Sequence, residues 1–283
     1  MSSTNYLIQW DSLNSGGLDT ASSTNFSSYD TLGDNASGTS TSSNFKLSAG
    51  YRAPEGADTL TYQIRSRSVS VSSSYTAFND AGNTVTLSSV SGFAIGDLIS
   101  VIEDTGFSEL AAIGRITDIS GLVVTVDDFD GDGATMSAVP AGGDDTTYRL
   151  DSNSIDFGTI SSGSAYTSVV GTSVLTNVAT GYSLYILANQ ELQNVSAQTM
   201  NAVSDGAVTL GVEEYGAETT GATAFSAGTD LAVTTTQRII QTSAVTTGSI
   251  SDKIGMIFKL SISPSTDAGI YSQNVYYTLT ANY

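Results

Sequence analysis

The sequence predicts an all-β protein: extended strand repeats at the N-terminus, a small antiparallel barrel-like unit, and a C-terminal β-sandwich of immunoglobulin-like or jelly-roll type. Three observations carry this. The chain is rich in Gly, Ser and Thr with only 3 Pro, and its apolar residues are mostly β-branched or aromatic, including 14 Tyr and 9 Phe. That composition suits strands joined by small polar turns. Alternation with a period of two recurs along the chain, most clearly over residues 269–283. There Val275, Tyr277, Leu279 and Ala281 fall on one face and Asn274, Tyr276, Thr278 and Thr280 on the other, and the alternation runs to the last residue. Helical periodicity is weak throughout. Residues 189–200 are the best helical segment, and they hold it for no more than two turns.

The remaining composition excludes whole classes of function. With 28 acidic residues against 9 basic and a formal charge of −19, the surface repels phosphate backbones, so no nucleic-acid partner is expected. There is no Cys and no His, which removes disulfides, thiolate chemistry and the commonest general base and transition-metal ligand. No apolar run is long enough to insert the mature chain in a membrane as a helix. The first residues read as mature sequence, and the expectation is an extracellular or cell-surface protein whose leader has been removed.

Residues 1–53 carry a repeat. Ser2-Ser3-Thr4-Asn5-Tyr6, Ser22-Ser23-Thr24-Asn25-Phe26 and Ser42-Ser43-Asn44-Phe45 share a Ser-Ser-(Thr)-Asn-aromatic pattern, each expected to begin a short strand. Units this short cannot bury a core alone. The only Trp, Trp10, lies here with Tyr6 and Ile8 at alternate positions, so this segment is the candidate donor strand and these three residues the candidate subunit interface. Residues 54–153 open with a clean strand (Leu60, Tyr62 and Ile64 alternating with Thr61, Gln63 and Arg65). Short strands follow at 84–87, 98–102, 111–119, 122–126 and 148–150, the spacing of a small antiparallel barrel. Residues 154–283 give about seven strands, at 154–157, 168–174, 182–187, 207–210, 238–240, 256–262 and the C-terminus, as a two-sheet sandwich requires.

The sharpest local motif is Asp128-Phe129-Asp130-Gly131-Asp132-Gly133, preceded by Asp127. Alternate carboxylates at this spacing converge on a hard cation in calcium loops. The twelfth position is Val139 and not a bidentate Glu, so a helical EF-hand is excluded. A β-loop calcium site would draw on Asp144 and Asp145 in the next loop. The plain alternative is an acidic solvated turn, and no cofactor is required. Glu213-Glu214 is a carboxylate pair that reads as a turn, and no catalytic residue is assigned: the chain is not expected to be an enzyme. Only three lysines occur, Lys46, Lys253 and Lys259. Lys259 lies on a strand, where it is either solvated or condensed with an Asn in an intramolecular isopeptide bond. The sequons at Asn25, Asn35 and Asn194 are expected by chance in so Ser-rich a chain.

Three stretches carry a resemblance: Asp156-Phe157-Gly158-Thr159-Ile160, Thr176-Asn177-Val178-Ala179-Thr180-Gly181-Tyr182, and Asp267-Ala268-Gly269-Ile270-Tyr271 through Tyr276-Tyr277-Thr278-Leu279-Thr280. Their layout is similar to the secreted WxL-type surface domains of Gram-positive bacteria and to pilin-like proteins of small-genome candidate-phylum bacteria. Tyr276-Tyr277 stands where the WxL pattern places a Trp, so the resemblance implies an exported, non-catalytic surface protein without implying wall binding. The expected function is a structural subunit of a pilus-like filament, a homopolymer assembled by strand exchange. The alternative is a monomeric adhesin or ligand-binding module, and a virion fibre component shares the composition.

Overall fold

The structure is a computed structural model that describes residues 58–282 and, as backbone, the segments 2–3, 6–7, 21–23, 26–28, 38–41 and 46–49. The chain divides into two compact units, Met1–Asp58 and Thr59–Tyr283. Among the described residues of the first, β1 (Ser2–Ser3) pairs with β2 (Tyr6–Leu7). A separate antiparallel sheet runs β3 (Ala21–Ser23), β4 (Phe26–Ser28), β5 (Gly38–Thr41), β6 (Lys46–Ala49). Ser3 pairs with Tyr6 and Ser23 with Phe26, leaving two residues between the strands each time, the spacing of a tight hairpin. In the first two copies the Ser-Ser pair closes one strand and the aromatic residue opens the next, β2 at Tyr6 and β4 at Phe26, as expected; the third copy lies outside the described residues. Of the candidate interface residues, Tyr6 is described only as backbone of β2, and Ile8 and Trp10 lie outside the described residues.

The second unit is built along one strand, β7 (Leu60–Asn79), 20 residues long. It is followed by β8 (Thr84–Leu87), β9 (Leu98–Glu103), β10 (Leu110–Ser120), β11 (Val123–Val126), the two-residue β12 (Asp130–Gly131) and β13 (Thr146–Ser152). The C-terminal half of β7 pairs with β8 and with β13, and the order β7-β8-β11-β10-β9-β13 returns to β7, closing an antiparallel barrel. Val85, Leu87, Ile99, Val101, Val124 and Val126 fill its interior at every second position, as the pleat dictates.

The N-terminal half of β7 leaves the barrel and pairs with β14 (Tyr166–Thr176). The remaining strands are β15 (Tyr182–Ala188), β16 (Glu214–Thr220), β17 (Arg238–Ser243), β18 (Asp252–Ser261) and β19 (Val275–Ala281). One sheet runs β7-β14-β18-β16 and the other β17-β15-β19, and Leu184, Ile186, Ile240, Met256, Phe258 and Leu260 fill the space between them. The expected border at 153/154 thus falls inside one compact unit, because β7 belongs to barrel and sandwich at once.

The four-stranded sheet is covered on both faces. Even-numbered residues of β18 face the sandwich, while Ile257 on its other face joins Val169, Leu98, Ile113 and Leu150 in a separate apolar seam against the outside of the barrel. Gly171 and Gly255 lie opposite each other at the centre of this seam. A Cβ on Gly171 would stand 2.3 Å from Leu150 Cδ1 and 3.3 Å from Ile113 Cγ2, so the missing side chain there is what lets the two bodies close.

Several local expectations are corrected. Residues 154–157 form no strand: Gly158, at φ +67°, donates its N–H to Asp156 Oδ1 in a tight turn, and Ile155 and Phe157 pack onto the sandwich core from a loop. Residues 207–210 form no strand, whereas 214–220, whose start reads as a turn, form β16. Residues 189–200 contain no helix, the one helical element among the described residues being a 3-10 turn at Gly133–Thr135. No helix among the described residues is long and apolar enough to cross a membrane.

Candidate functional site: the open side of the sandwich

Four strands end the two sheets of the sandwich; β16 and β17 are further covered by isolated bridges to Ala202, Leu231 and Ala224, and the other two have no such cover among the described residues. The segment Leu60–Arg65 of β7 pairs only with β14, and β19 pairs only with β15. Their inward residues are incompletely covered. Tyr62 remains 53% exposed, and Val275, Tyr277, Leu279 and Ala281, whose alternation marks them for a core, are half-buried. Between the two sheets on this side lies a groove of about 1440 Å³, lined by Tyr62 and Ile64, by Val170, Phe258 and Leu260 on its floor, and by Tyr277. The 154–160 loop and the segment 266–274 rim it. Tyr215 anchors one wall: its hydroxyl donates to Val233 O at 3.0 Å and accepts from Leu192 N at 3.2 Å, and burial pushes its pKa up to about 12. An apolar trough flanked by unpaired backbone N–H and C=O groups is the shape a single added strand fills.

The acidic loop is organised differently. Asp127 Oδ1 accepts the N–H of Arg115 at 2.9 Å and of Asp128 at 2.8 Å. Asp130 Oδ2 accepts Lys253 N at 3.0 Å, and Asp132 accepts Ala111 N at 3.0 Å and the Thr220 hydroxyl. The ammonium of Lys253, fully buried, stands 3.4 Å from Asp127 and 3.8 Å from Asp130. A protein cation thus already stands beside two of the loop's four carboxylates. Burial raises the pKa of Asp130 above the ordinary carboxylate range, against the lowering influence of Lys253. Asp128 is exposed. Asp145 is turned to the Asp104 and Gly142 N–H groups, and Asp144 lies in the same loop as Asp145. Among the described residues no group of three acidic side chains is gathered as a metal site. The loop's visible work is to fasten the barrel to β16 and β18.

Lys259 is not solvated. It faces the barrel side of β18, 6% exposed at its side chain, with Nζ 2.6 Å from Glu218 Oε2 and 3.0 Å from Asp230 Oδ1. Burial alone would lower its pKa, but the hydrogen bonds and charges of these two carboxylates outweigh that and raise it. Nearby, Glu109 is buried and accepts the Thr167 hydroxyl at 2.5 Å; desolvation raises its pKa in spite of that bond. Glu214 of the carboxylate pair accepts Thr209 N. Asn194 is buried, its side-chain oxygen accepting the N–H of Ser196 and Gln198, so this sequon is a turn and no presented glycan acceptor.

Compared with family models, with curated proteins and with solved structures, the chain finds no match in any of the three.

Proposed function

We propose that this protein is a structural subunit of an extracellular filament, in which a strand from a neighbouring copy enters the open side of the sandwich and pairs with β19. The observation that supports the reading is the combination of an apolar groove with an unpaired edge strand whose core-pattern residues are half-buried. A donated strand would bury Tyr62, Tyr277 and Leu279 and satisfy the free edge of β19 in one step. Each subunit would offer one acceptor groove and one donor segment, so the contact is head-to-tail and propagates. Residues 6–10, with Tyr6, Ile8 and Trp10 at alternate positions, are the proposed donor. Calcium at the acidic loop forms no part of this reading.

Deleting residues 1–20 is expected to leave a soluble subunit that forms no fibres in negative-stain electron micrographs. Normal fibres from the truncated chain would sink the donor assignment. The same groove supports a second reading, a monomeric ligand-binding surface module, since it exceeds the volume of ordinary small-molecule pockets and would suit an extended ligand. That reading predicts a single native species at 29.2 kDa and no fibres from the full chain.

A further inference from the structure

We propose that Lys259 and Asp230 form an intramolecular isopeptide bond, with Glu218 as the proton carrier. Four observations place the reacting groups. Lys259 Nζ is shielded from water and lies within 3.0 Å of an Asp230 carboxylate oxygen. That oxygen, Oδ1, is buried and has no neighbour to bond with among the described residues other than the Lys259 ammonium. The other oxygen, Oδ2, accepts the Val208 N–H at 2.7 Å. Glu218 makes the shortest contact to Nζ, 2.6 Å, and its second oxygen is fixed by Gly228 N at 2.9 Å.

These positions assign the roles. A proton leaves Nζ for Glu218 Oε2, and the freed amine attacks Asp230 Cγ. The Val208 N–H holds Oδ2 as charge builds on the tetrahedral carbon and retains it as the amide oxygen. Oδ1, free of other bonds, takes both protons that nitrogen gives up, relayed through Glu218, and departs as water. One C–N bond forms and one C–O bond breaks; ammonium and carboxylate become amide and water, with no oxidant or activating group needed. The neighbours are held at contact distance by the fold, which supplies the effective concentration such a condensation needs. The partner is Asp and not Asn, so the by-product is water instead of ammonia.

Lys253 is the internal contrast. Its nearest carboxylates stand 3.4 and 3.8 Å away, against 2.6 and 3.0 Å at Lys259. No bond is expected there.

The test is intact-mass and peptide-level mass spectrometry on the purified full chain. The expected result is a mass about 18 Da, one water, below the sequence mass, with a linked peptide pair containing residues 230 and 259. Glu218→Gln should fold and show the full sequence mass, and Lys259→Arg should show it as well. A wild-type mass equal to the sequence mass overturns the proposal. So does a water loss that persists in Lys259→Arg, since dehydration at an Asp-Gly pair such as Asp205-Gly206 changes the mass identically. A linked pair still present in Glu218→Gln removes Glu218 from the mechanism. The linked peptide is read from the wild-type chain, so the outcome does not depend on any variant folding.

Discussion

Barrel and sandwich share a strand, a composition and a pleat, yet one is finished and the other is not. In the barrel every strand has two neighbours, and the inward residues of β8 and β11 are fully or almost fully buried. In the sandwich the same alternation continues into β19, but its inward residues stop at half-burial and its outer edge has no partner among the described residues. The difference lies in closure and not in sequence quality. A pattern that specifies a core has been laid down where this unit supplies only one wall of it. Such an edge is an aggregation hazard unless something is meant to cover it, which is why the comparison bears on assembly.

The largest expected effect tests what holds the two bodies together. Lys253→Ala strands Asp127 and Asp130 beside an empty buried position, and a loss of roughly 3–5 kcal/mol in urea unfolding is expected, with Lys253→Met costing less because it refills the volume. Next comes the seam: Gly171→Val drives a side chain into Leu150 and Ile113, and overpacking of this kind costs about 3 kcal/mol. Leu87→Ala in the closed barrel should cost about 3 kcal/mol, as cavities in complete cores do, whereas Leu279→Ala on the open side should cost about 1 kcal/mol in the isolated subunit. Equal losses would mean that the open side is already closed.

The smallest effect is on pH. Glu109 and Asp252 both have pKa values raised by burial in the folded chain. Raised carboxyls add stability that is fully present below their unfolded value, about 4, and is lost as pH climbs through the folded value. The melting temperature is therefore expected to rise as pH falls toward about 4, and Glu109→Gln should flatten that profile. A melting temperature that falls over the same interval would contradict the assignment.

The barrel strands and the ends of the sandwich were legible because each buries one face, so a period of two stands out. β18 shows the limit. Met256, Phe258 and Leu260 read correctly as one core face, but Lys259 opposite them reads as solvent-facing. Its partners, Glu218 and Asp230, are 41 and 29 residues away (259 − 218 and 259 − 230), and no pattern within one strand reveals a charge neutralised at that distance. β16 was missed for the same reason. Glu214, Gly216 and Glu218 have low strand propensity, and only the buried alternates Tyr215, Ala217 and Thr219 betray it. The groove is foreshadowed by the C-terminal strand, but one wall comes from β7, which the sequence pattern assigns to the barrel unit, and its rim from the 154–160 loop, whose start reads as a strand.

The length of β7 has a consequence for the order in which the molecule is made. Its C-terminal half finds all its partners by Ser152, so the barrel can close once that much chain exists. Its N-terminal half must wait for β14: Thr59 donates to Asn177, 118 residues further on. Contacts that distant form late. During synthesis the chain therefore passes through a stage with a completed barrel and a bare apolar stub, Leu60, Tyr62 and Ile64, projecting from it. Any factor that escorts this protein before its last strands arrive has that stub to hold.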